Sequence, residues 1–174
     1  MDHRIALKPN TSLHLSNDSG ETIHCIIKDE MGRGGSCIVY EAVRITDTGD
    51  QTLYRIKEFY PYKLHISRNN NGLVPSIHDI DSFRHEQEQF RYYFSHTNKL
   101  FYSGDNYSSM TNQLDVFNQN GTSYILSAYS SKNTLSVYKP VSLKECITLI
   151  KQVVHVLGNI HKMGYLYLDI KPTL

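Results

Sequence analysis

Few cysteines, no long apolar run and no excess of either charge: these absences exclude whole classes before any motif is read. No stretch of the 174 residues approaches the roughly eighteen consecutive apolar residues of a membrane-spanning helix. The first ten residues, MDHRIALKPN, lack the apolar core of a signal peptide. A formal charge of +1 gives no field that would draw nucleic acid or an anionic membrane. Cys25, Cys37 and Cys146 are scattered without metal-ligand spacing and read as reduced thiols. The nine histidines contain no i, i+4 pair beside an acid, the spacing that a helical zinc site needs. The expectations are cytoplasmic residence, no metal cluster, no nucleic-acid partner and no membrane segment.

What is present is a globular balance, 40% apolar and 20% charged, in a length that suits one domain or one domain and part of another. Residues 1–20 are polar and read as a flexible lead-in. From Thr22 the pattern alternates: Ile23, Cys25 and Ile27, then Cys37, Val39, Val43 and Ile45. A turn over Asp47–Asp50 leads to a third strand, Leu53 to Phe59, which Pro61 ends. Residues 62–80, with Asn69 to Gly72 and Pro75, read as a loop or insertion. A helix follows from a cap at Asp81 or Ser82, with Phe83, Phe90 and Phe94 near helical spacing. Leu114–Phe117, the turn Asn118–Gly121 and Thr122–Leu126 form a strand–turn–strand.

The best helix spans 142–163. Ser142 and Glu145 form a capping box, with Val141 placed as a hydrophobic staple. Leu143, Ile147, Ile150, Val154 and Leu157 recur on one face, and Gly164 stops the helix. The reading is therefore five strands, with one helix after the third and a long amphipathic helix at the end.

Three segments carry chemistry. Gly32-Arg-Gly34-Gly35-Ser36-Cys37 lies between two strands, and glycines there let a backbone with free N–H groups approach a polyphosphate. No Gly-Lys-Ser/Thr follows, which excludes a strand-to-helix P-loop. Lys57 falls on the next strand within Arg55-Ile56-Lys57, where a buried amine needs an anionic partner. Last comes HKMGYLYLDIKP at 161–172.

A glycine-rich turn, a strand lysine and an Asp-x-Lys-Pro loop, in that order, resemble a serine/threonine protein kinase of bacterial type. The resemblance covers residues 20–174. It implies an α+β, protein-kinase-like fold, with a five-stranded antiparallel small lobe, one helix and the first helices of the large lobe. Residues 21–129 would be the small lobe and hinge, and 130–174 a partial large lobe ending in the catalytic loop. ATP would lie under Gly32, Gly34, Gly35 and Ser36, with Val39 above the adenine and backbone groups of Ser127, Ala128 and Tyr129 at its edge. Lys57 would hold the α- and β-phosphates, braced by Glu86 or Glu88. Glu86 is preferred because it lies between Phe83 and Phe90. Asp169 would accept the substrate hydroxyl's proton, and Lys171 would contact the transferring phosphate.

The departures matter equally. Cys37 stands for the third glycine, Arg55 for an alanine, and Tyr167 and Leu168 for His-Arg. Leu174 stands where asparagine binds the second metal, and no Asp-Phe-Gly follows, so the Mg²⁺ ligands of the family are missing. Three functions are expected: an ATP-dependent kinase that needs a missing C-terminal part, a nucleotide- or protein-binding pseudokinase module, or a fragment without function of its own. Little or no phosphotransfer by this chain is expected.

Overall fold

The computed structural model describes residues 2–46, 49–102, 113–129, 137–162, 164–168 and 170, without the side chains of 97 and 99–102. The chain divides into two compact units, Met1–Asn98 with Asn112–Tyr129, and Lys99–Thr111 with Ser130–Leu174.

The first unit is built on an antiparallel sheet. Its strands are β1 (Ser12–Ser16), β2 (Thr22–Arg33), β3 (Cys37–Ile45), β4 (Gln51–Phe59), β7 (Gln113–Gln119) and β8 (Thr122–Ala128), in the order β1-β2-β3-β4-β8-β7. The sheet curls until its edges meet: the Asn17 side-chain amide donates to Asp115 at 2.7 Å. Six strands replace the expected five. The addition is β1, inside the stretch expected to be a lead-in, where Leu13 and Leu15 are buried between exposed Ser12, His14 and Ser16. That is period-two burial, too short to stand out from its polar surroundings.

Residues 62–80, expected as a loop, contain a second hairpin, β5 (Ile66–Asn69) with β6 (Gly72–Pro75). Its turn crosses the β7–β8 turn, where Leu73 N–H donates to Asn120 O at 2.8 Å. Gly72 has φ 116°, and a Cβ on it would overlap the Asn120 carbonyl; Gly121, φ 67°, meets Leu73 O in the same way. Only glycine fits both positions.

One face of the sheet buries Leu15, Ile27, Ile38, Ile56, Phe117 and Leu126. Within this core lies Glu58, 0% exposed. It accepts hydrogen bonds from Tyr40 (2.9 Å) and Tyr124 (3.0 Å) and pairs with Arg68 at 2.5 Å. Burial and the Glu58 charge push both phenols well above their ordinary value. Burial disfavours the Arg68 charge, but its bond to Glu58 more than offsets this and raises its pKa.

The opposite face carries α1 (Ile80–Tyr102), whose residues through Asn98 belong to this unit. Phe83 and Phe90 pack on Phe59 with ring centroids 5.2 and 5.3 Å apart, and Gln87 donates to Ser123 at 2.9 Å. The helix begins before the expected caps. Asp79 holds its entry: its carbonyl accepts from Phe83 N–H at 2.8 Å, and its carboxylate accepts from His65 N–H (2.9 Å) and the Ser76 hydroxyl (2.7 Å).

In the second unit, α2 runs Leu143–Lys162. Ser142 Oγ accepts from Glu145 N–H at 3.2 Å, and the Glu145 carboxylate accepts from Val141 N–H at 2.8 Å, one residue earlier than a standard capping box. Val141 is 92% exposed and staples nothing. Gly164, at φ 83°, ends the helix in a Schellman motif, with Gly164 N–H to His161 O at 2.9 Å and Tyr165 N–H to Ile160 O at 3.2 Å.

Candidate functional site

Strand register assembles the first-unit candidates. Gly32 pairs with Val39, Val39 with Lys57, and Lys57 with Ile125, giving one row across β2, β3, β4 and β8. The next row is Asp29, Glu41, Arg55 and Ser127. Residues paired across antiparallel strands project to the same face. This is the face that carries Phe59 and, through it, α1.

The β2–β3 turn closes the first row. Gly34 N–H donates to Cys37 O at 2.9 Å; Ser36 O and Gly35 O accept from Tyr60 N–H (2.9 Å) and Tyr62 N–H (3.1 Å). Among the described residues, the N–H groups of Gly35 and Ser36 have no acceptor. Gly32, Gly34 and Gly35 all avoid the left-handed region. A Cβ on Gly32 would meet nothing within 4 Å, and on Gly34 or Gly35 nothing closer than 3.7 Å. Neither backbone conformation nor packing within the chain requires these three glycines. What they leave is an open backbone with free donors, the chemistry that receives an anion.

Nothing in the sequence signals that residues 2–4 support this turn. Arg4 is buried and donates to Gly34 O (2.9 Å), Cys37 O (3.3 Å) and Tyr60 O, while Asp2 pairs with its guanidinium at 2.6 Å. Arg33 donates to Arg4 O at 2.8 Å and pairs with Glu30 at 2.7 Å. Hydrogen bonding to Arg4 holds the Asp2 carboxyl well below the usual carboxylate range, and Arg33 lowers Glu30 likewise. The turn is thus fastened from beneath while its outer amides stay free.

Lys57 is half-buried and, among the described residues, has no carboxylate within ion-pair distance. Glu86 is half-buried beside the inward stripe of Phe83, Gln87 and Phe90, whereas Glu88 is exposed. Neither reaches Lys57. At the end of β8, Ala128 pairs with Tyr54, and hydrogen bonding to Glu41, followed by its charge, raises the Tyr129 phenol's pKa. Arg55 is buried at 6% exposure, and neither its Nε nor Ser127 Oγ has a hydrogen-bond partner.

Asp169 and Lys171 lie outside the described residues, as does Leu174. Among the described residues no group of three His, Cys, Asp or Glu side chains could hold a metal, and no helix is long and apolar enough to cross a membrane. Cys25 is a buried free thiol, pushed up to about 11 by burial.

The sequence matches no protein-family model and no curated protein. A solved structure, PpkA-294 in its apo form, a bacterial serine/threonine kinase fragment, is similar with a TM-score of 0.69 and 22% identity. The match covers 97% of this chain and 56% of that one, so the chain spans little more than half the length of the structure it resembles. At this identity the likeness is one of fold, and the curled sheet with α1 fits a kinase-like small lobe.

Proposed function

We propose that the chain carries the nucleoside-triphosphate-binding part of a phosphotransferase of the serine/threonine protein kinase kind. The observation that supports this most is Lys57: a half-buried lysine without a carboxylate partner among the described residues, one row beneath a glycine-rich turn whose glycines the described chain does not need. The free Gly35 and Ser36 amides and Lys57 would hold the phosphates, with Val39 against the ligand's apolar part. Glu86 would be the carboxylate that braces Lys57, as the family resemblance implies. ATP is the ligand that the family resemblance implies, and Mg²⁺, when bound, would neutralise charge on the phosphates. Asp169 would take the hydroxyl proton and Lys171 would contact the transferring phosphate.

A thermal melt of the whole chain with Mg·ATP and with Mg·GTP tests the reading. Ligand at about 100 times its dissociation constant stabilises a folded state by about 2.7 kcal/mol, several degrees in a chain of this size. The expected result is such a shift with at least one triphosphate, lost in Lys57→Met. A melt indifferent to both, or a shift retained in Lys57→Met, overturns it.

A second reading, a binding module without turnover, is favoured by Leu174 standing where the kinase pattern has its metal-binding asparagine. It expects triphosphate binding without incorporation of labelled phosphate into the chain or a generic protein substrate. Incorporation that Asp169→Asn abolishes would exclude it.

A further inference from the structure

We propose that Arg55 and Ser127 form a base subsite that selects a 6-oxopurine nucleotide over an adenine nucleotide. This rests on the nucleotide reading above and extends it from the phosphates to the base. The Lys57 row lies beneath the glycine turn. The Arg55–Ser127 row lies two residues further along β4 and β8, about 7 Å away. A nucleotide with its phosphates at Lys57 and its base toward the end of β8 would lay that base on the second row.

The second row is unusual chemically. The kinase resemblance expects a small apolar residue at position 55, and the chain places a guanidinium there, 6% exposed. A guanidinium has donors and no acceptor. Its Nε has no partner, nor has the hydroxyl oxygen of Ser127, its register neighbour, although both atoms are shielded from solvent. Glu41, the register neighbour on β3, forms no ion pair with Arg55 among the described residues. What Arg55 Nε and Ser127 Oγ lack, among the described residues, is a partner.

The purines differ in that respect. A 6-oxopurine presents two adjacent acceptors, O6 and N7, which suit an arginine; adenine presents N7 beside an amino donor. With adenine only N7 can accept, and a second guanidinium donor would face the 6-amino donor. A site built around a hydrogen bond rejects strongly a ligand that cannot make it, because the site's own buried group is left unsatisfied. Ser127, whose hydroxyl both donates and accepts, adapts to either base and leaves the choice to Arg55.

The test is the affinity of the intact chain for Mg·GTP, Mg·ITP and Mg·ATP by equilibrium dialysis, which needs no variant for its first answer. The expected result is that GTP and ITP, which share the 6-oxo group, bind at least about tenfold more tightly than ATP. Arg55→Met keeps an apolar chain of similar reach without donors, and should bring the ratio close to one by weakening GTP. Its melt must stay cooperative for that comparison to count. Equal affinities, or tighter ATP, in the wild-type chain overturn the proposal. So does a wild-type chain that binds no nucleotide while Arg55→Ala binds ATP, since Arg55 would then fill the base space rather than read it. Failure of every variant to bind any triphosphate takes down the nucleotide reading itself, and this inference with it.

Discussion

Lys57 and Glu58 are neighbours on β4, and their side chains leave the strand into opposite circumstances. Glu58 enters a core where two phenols and a guanidinium satisfy it from β3, β8 and the β5–β6 hairpin. Lys57 enters a face where, among the described residues, no carboxylate pairs with it, with the unpartnered Nε of Arg55 two residues away. The carboxylate is the costlier group to bury, yet its surroundings are complete. On the other side Arg55 Nε and Ser127 Oγ remain unmatched among the described residues, as expected of a surface that a ligand completes. The glycines divide in the same way: Gly72 and Gly121 are demanded by the chain's own backbone, whereas Gly32, Gly34 and Gly35 are not.

The contrast is broken most severely from the complete side. Glu58→Ala would strand Arg68, Tyr40 and Tyr124 without their acceptor, and a loss of about 3–5 kcal/mol is expected, read as a collapse of the thermal midpoint. The same cluster has an alkaline limit. Both phenols have pKa values raised above the ordinary 10.0, so the stability they lend is full below pH 10 and is lost as pH rises beyond it. In a chain with 13 tyrosines and no tryptophan, absorbance titration should show a cooperative late step that coincides with unfolding.

The glycine comparison predicts smaller effects. Gly72→Ala should cost about 1–3 kcal/mol through strain and overlap, as its urea midpoint would show. Gly34→Ala should shift that midpoint little, yet weaken triphosphate binding. Equal costs for the two would erase the distinction. The smallest expected change in stability is that of Lys57→Met, within about 0.5 kcal/mol, because no ion pair is lost. A large loss would mean that Lys57 is structural.

Much of this was legible in the sequence, because local signals were enough. Alternation gave β2 to β4, the Asn120–Gly121 turn gave the β7–β8 hairpin, and Ser142, Glu145 and Gly164 bounded α2. What escaped depends on partners remote along the chain. Leu13 and Leu15 make a strand only because β2 lies beside them. The Asn-rich stretch from 69 to 72 looks like loop until Asn120 crosses it. Arg4 looks like a terminal charge until the carbonyls of Gly34, Cys37 and Tyr60 surround it. Glu58 carries no mark in the sequence, since its partners sit at 40, 68 and 124. The chemistry of the Lys57 face was visible in its residue types, but the unpartnered state of Arg55 and Ser127 was not.

The N-terminal fastening also constrains the order of events during synthesis. Arg4 reaches a carbonyl 56 residues later, Arg68 reaches back 63 residues to Ile5, and Asn17 meets Asp115 across 98. A chain emerging from the ribosome can form the β2–β3 hairpin early, but its glycine turn stays unfastened until residue 60 is free. The sheet edges cannot meet until residue 115 has followed, about 2–9 s after Arg68 at ordinary translation rates. Through that interval β1 presents an edge that β7 has not yet reached, so the nascent first unit is most exposed to mispairing before its fastening is complete.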